Sequence, residues 1–141
     1  KNLTNEKRVD ICRKNNIPIN AAEEKNPFLL HAKVGSYLAQ KKYGISDREI
    51  LDAITYHTTG RPDMTVMDKI IYIADYIEPG RSQAPGLPEV RRLAFTDLDD
   101  CLFRILGDTL DYLTASKMEI DEATRQTYDY YKSLREQNTE R

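Results

Sequence analysis

DKIIYIADYIEPGR, residues 68–81, reads as a helix followed by a hard stop. Val66, Met67, Ile70, Ile71, Ile73, Ala74 and Ile77 put apolar side chains on nearly every side of it. A helix apolar all round is ordinarily buried. Asp68 and Asp75 lie seven residues apart, hence two turns apart on one side. A buried carboxylate without a partner costs on the order of several kcal/mol, so such groups are paired or bind metal. The pattern therefore predicts a cation opposite Asp75. Pro79 and Gly80 end the helix, and Arg81 follows the turn.

Two histidines, His31 and His57, lie upstream, each beside an apolar run. With Asp75 and the Pro79-Gly80-Arg81 turn they make a metal-and-phosphate set. Spacing alone leaves a second reading open. No pair has the i, i+4 arrangement of a helical zinc site, and Asp75 can pair with a Lys or Arg while both histidines serve as core or cap residues.

Composition sets the outer bounds. A chain of 141 residues is large enough for one domain with its own core. Charged residues are 31% at a net charge of −2, which gives no field to draw nucleic acid or a membrane. Apolar runs stop well short of the ~18 residues of a transmembrane helix. Cys12 and Cys101 are isolated in helical patterns, pointing to reduced thiols in a cytoplasmic protein. The first residue is Lys1 rather than Met, which reads as a fragment.

The rest of the chain is helical in pattern. Thr4 to about Asn15 is a short amphipathic helix, and Asn20 to Lys25 a polar connector. A second helix has Asn26 as N-cap, Pro27 in its first turn and Gly44 after its end. Ser46-x-x-Glu49 opens a third, running through Ile50, Leu51 and Ile54 to His57. Thr65-x-x-Asp68 opens the quoted helix by the same device. Residues 82–88 are loop because of Pro85, Gly86 and Pro88; helices follow over Glu89–Phe95, Asp97–Ser116 and from about Glu122. Val, Ile and Thr never alternate cleanly enough for a strand. The expectation is all-α, one domain over residues 1–141. The nine tyrosines read as packing residues.

His57-Thr58-Thr59-Gly60-Arg61-Pro62, followed by DKIIYIADYIEPGR, resembles the HD-domain metallophosphohydrolases. More narrowly it is similar to the bacterial YqeK family, which cleaves diadenosine tetraphosphate symmetrically to two ADP. The likeness runs from LLHAKVG (residues 29–35) through the Pro-Gly-Arg turn into the last helices. It implies an HD-domain helical bundle and a divalent metal, iron or else Mn, Zn or Mg. It implies a nucleotide partner; the near-neutral charge argues against membrane and nucleic acid, and long helices leave room for a homodimer.

The same resemblance assigns roles. Asp75 matches the family's late aspartate ligand, whereas an early histidine and a His-Asp pair have no counterpart, because no histidine precedes His31. The expectation is that those ligands lie upstream of Lys1 and that the chain alone is inactive. Lys1 matches a lysine that reaches the nucleotide phosphates. His31 and His57 match catalytic histidines that face the phosphates or hold a second metal. Thr58 adds a donor beside His57, Arg81 clamps a phosphate bidentately, and Met118, Glu119, Ile120, Asp121, Glu122 and Ala123 pass near the nucleoside. Asp68 is read as a helix cap in preference to a support for the metal. Two alternatives remain: an HD-type hydrolase of mononucleotides or guanosine polyphosphates, and a non-catalytic nucleotide-binding helical module.

Overall fold

The computed structural model describes residues 3–140. Among them are eight α-helices, no strand, and a 3-10 turn at Pro27–Leu30. The helices are α1 (Asn5–Lys14), α2 (Ala21–Lys25), α3 (His31–Tyr43), α4 (Arg48–Thr55), α5 (Val66–Tyr76), α6 (Leu87–Leu93), α7 (Leu98–Ala115) and α8 (Glu122–Thr139). The all-α expectation holds.

Local chemistry explains the boundaries. Thr65 accepts from the Asp68 N–H while the Asp68 carboxylate accepts from the Thr65 N–H, so α5 opens with a reciprocal capping box. Gly44 closes α3 in the left-handed region at φ 68°, where a side chain would be strained. Four expectations are corrected. Residues 21–25 form a helix, because Asn20 and Glu23 make their own capping box. Asn26 makes no side-chain cap, and Pro27 starts the 3-10 turn. Asp47, not Ser46, caps α4, since its carboxylate accepts from the amides of Glu49 and Ile50. Pro88 sits in the first turn of α6, where its missing N–H costs nothing.

Two apolar clusters hold the bundle. Cys12, Leu30 and Val34 form one, under α1 and α3. Met64, Tyr72, Ile73, Val90, Cys101, Leu102, Ile105, Leu106 and Tyr131 form the larger one, where α5, α7 and α8 meet.

The quoted helix departs from expectation in an instructive way. It buries Asp68, Tyr72 and Ile73, one side only. Val66 is 65% exposed, Ile70 50% and Ile71 41%, and Asp75 lies exposed beside them. The buried carboxylate is thus Asp68, at 1% exposure, and its cation is Arg61. Nε of Arg61 donates to Asp68 Oδ2 at 2.9 Å, with Nη2 in ion-pair contact with the same oxygen at 2.8 Å, and Nη1 donates to Asp52 on α4 at 3.2 Å. An all-round apolar pattern does not distinguish a buried helix from one whose second apolar face stays open.

Candidate active site

α3 begins at His31 immediately after Leu30, which is fully buried, so the start of the helix is anchored and His31 stands at its rim. His57 follows the end of α4. Its loop, residues 56–65, is held by Arg61, whose guanidinium bridges Asp52 and Asp68 and lies 5.0 Å over the Tyr56 ring. Gly60, at φ 72°, passes so close to Thr127 of α8 that a Cβ would stand 2.8 Å from its methyl carbon. Only glycine fits that approach.

The two imidazoles, 26 residues apart in sequence, meet edge to face with Nε2 atoms 3.0 Å apart. Nδ1 of His31 lies 2.7 Å from the Phe28 carbonyl and Nδ1 of His57 lies 2.6 Å from the Ile54 carbonyl. A carbonyl only accepts, so each Nδ1 carries the proton and donates. Both Nε2 atoms are then left with lone pairs that face each other. Two acceptors at that distance call for a shared proton or another cation between or beside them. The same arrangement, one ring nitrogen tied to a carbonyl and the other free, orients histidines that bind metals.

Thr58 joins this centre, its Oγ1 standing 3.4 Å from His31 Nε2 with a hydroxyl to donate. Burial, chiefly, lowers the His31 pKa; His57 and Arg8 push the same way, while the Phe28 carbonyl and Asp75 oppose. The exposed Asp75 therefore lies within electrostatic reach of His31. Arg8 lies over the ring of Phe28, which packs 4.8 Å from His31. Arg8, Phe28 and Arg61 went unsingled in the sequence; of these, Arg61 lay inside the quoted HTTGRP motif.

Thr58 and Thr59 also line a cavity of about 200 Å³ with Asn20, Glu23, Lys33, Tyr56, Asp121 and Ala123. Asp121 is buried, caps α8 through the Ala123 amide and accepts from Asn20 Nδ2 at 2.8 Å. Asp121 and Ala123 are thereby brought beside the histidine loop. Met118, Glu119 and Glu122 stay exposed, with Glu119 paired to Lys25 at 2.6 Å, and Ile120 does not line the cavity. Arg81, on the loop after α5, stacks over Tyr76 at 5.1 Å and has a buried Nε without a partner. Lys1 lies outside the described residues.

An all-helical bundle that brings two carbonyl-tethered histidines together agrees with a domain of the HD kind. The sequence profile of the HD domain matches residues 10–80, and the chain belongs to that family. It is 49% identical over 105 residues to the symmetrical bis(5'-nucleosyl)-tetraphosphatase of Bacillus subtilis, covering 74% of this chain and 56% of that protein. The enzyme of the same name from Halalkalibacterium halodurans is 45% identical over 101 residues, 72% of this chain and 54% of that one. A crystal structure from Clostridium acetobutylicum, described as a predicted HD superfamily hydrolase involved in NAD metabolism, superimposes with a TM-score of 0.86 at 38% identity. It covers 94% of this chain and 69% of its own. The chain spans about half the length of the curated relatives it matches.

Family membership implies a divalent metal. Among the described residues no group of three or more His, Cys, Asp or Glu side chains converges to hold one. The two imidazoles and Asp75 supply suitable donor types but do not close a coordination shell by themselves. No described helix is long and apolar enough to cross a membrane.

Proposed function

We propose that this chain carries the phosphate-facing part of a symmetrical dinucleoside tetraphosphate hydrolase, with diadenosine tetraphosphate as substrate and ADP as product. The facing Nε2 atoms of His31 and His57, with both Nδ1 atoms spent on carbonyls, carry the reading. Such a pair takes up a proton or a cation, and once protonated it donates to a phosphate oxygen or a departing one. Thr58 supplies a neutral donor on the same side. Arg81 keeps unspent donors for a phosphate, and a guanidinium fixed beforehand stabilises charge growing on non-bridging oxygens without reorganisation. The cavity between Thr58 and Asp121 offers room beside the phosphates for the nucleoside.

Asp75, exposed and in the field of His31, is assigned as a ligand of a divalent metal, iron first, completed by donors beyond those described. When bound, such a metal lowers the pKa of its water and so furnishes the nucleophile. Lys1 is assigned to the phosphates. The free, fully buried Cys12 and Cys101 support a reducing, cytoplasmic setting.

The test is product analysis on the full-length gene product purified anaerobically, with metal content measured alongside. Wild type should yield ADP alone from diadenosine tetraphosphate. Asp75→Ala should lose metal and turnover while melting at the temperature of the metal-stripped wild type. His57→Gln should lose turnover by about 10²–10⁴-fold, the range of a positioned acid or base. Turnover of a mononucleotide, with diadenosine tetraphosphate inert, would sink the assignment.

A further inference from the structure

Arg91, on α6, is half-buried and forms no ion pair among the described residues. Its donors go to backbone. Nε reaches the Ile77 carbonyl at 3.3 Å, and Nη2 reaches those of Glu78 and Arg81, each at 3.0 Å. Ile77 is the C-cap of α5, so its carbonyl and that of Glu78 stand at the helix's negative end. The Glu78 carbonyl also accepts from the Arg81 amide at 3.0 Å, closing the turn, and the Gly80 amide donates to the Glu78 carboxylate at 2.9 Å. One planar guanidinium thus spans the whole Ile77–Arg81 turn, fastening it at both ends. A guanidinium fork does this and a lysine ammonium, a compact point charge, does not.

The turn so fastened presents Arg81, whose own Nε is buried and unpartnered. We propose that Arg91 is the positioning residue for Arg81: it fixes the turn that aims the Arg81 guanidinium at a phosphate of the bound nucleotide. This rests on the phosphate role assigned to Arg81 above. Arg91 touches no ligand itself; it removes the freedom of the turn, so that Arg81 arrives ordered and binding need not order it.

The test is a double-mutant cycle in the full-length protein, read by ADP affinity and by amide exchange at Gly80 and Arg81. Arg91→Lys keeps the positive charge and serves if Arg91→Ala fails to fold. In Arg91→Lys, ADP affinity should fall on the order of tenfold, the size of coupling between residues acting together. Exchange at both amides should rise. In an Arg81→Ala background the same substitution should change ADP affinity by less than about twofold, because nothing is left to aim. An equal loss in both backgrounds would overturn the proposal, leaving Arg91 a general support of the fold. Raised exchange with unchanged affinity would also overturn it. If wild type itself bound no ADP, the phosphate reading would fall first, and that is visible before any variant is compared.

Discussion

Replacing Arg61 with methionine removes the only cation that meets Asp68 among the described residues and leaves a similar apolar stem. Asp68 is 1% exposed, and Oδ2 accepts from Arg61 Nε and from the Thr65 amide and lies 2.8 Å from Arg61 Nη2, while Oδ1 has no partner. Stripping the cation from a buried pair costs roughly 3–5 kcal/mol, because the remaining charge stays buried. The Arg61 side chain is itself 26% exposed, so solvent screens part of this and the lower end applies. For a chain of 141 residues the unfolding entropy is about 0.3 kcal/mol per degree. Arg61→Met should therefore lower the melting temperature by about 10 °C. Adding Asp68→Asn neutralises the stranded charge, and the double variant should melt above Arg61→Met. Scanning calorimetry of the three proteins decides it. A fall below roughly 3 °C, the size of an exposed ion pair, would refute the buried-pair reasoning, as would a double variant less stable than the single.

Gly60→Ala should cost about 2–4 kcal/mol in urea unfolding, from a left-handed φ added to the 2.8 Å approach to Thr127; an unchanged midpoint would contradict both. Tyr131→Phe strands the Met64 amide, which donates to the phenol oxygen at 2.8 Å, and should cost about 1–3 kcal/mol. Burial pushes the Tyr131 pKa up to about 12 in the fold, above about 10 when unfolded. Its contribution is therefore complete below about pH 10 and is lost as pH rises toward about 12. Melting curves across that range should fall less steeply for Tyr131→Phe, and identical slopes would exclude Tyr131 from the alkaline loss.

What the sequence made legible was local. The Thr65–Asp68 capping box and the Gly44 stop depend on residues within a turn of each other, so spacing reveals them. His31 and His57 were picked out individually, but their contact closes across 26 residues and α4, which no periodicity encodes. Asp75 was expected inside because apolar neighbours surround it; burial depends on which helix faces meet a partner, and among the described residues α5 meets partners on one side only. Arg61 and Arg91 escaped notice for different reasons. Arg61 pairs through charge with a residue read as a mere cap. Arg91 spends its donors on carbonyls, which every residue carries, so its partners leave no mark in the side-chain pattern.

The two apolar clusters have a consequence for what a bound ligand does to stability. His31 grows from Leu30 in the smaller cluster, while the loop bearing His57 runs into Met64 in the larger one. The imidazole contact therefore joins side chains anchored in different clusters. A ligand gripping both rings binds only when both regions are folded, and it stabilises them together by mass action. The free energy of such binding is thereby added to the stability of both clusters.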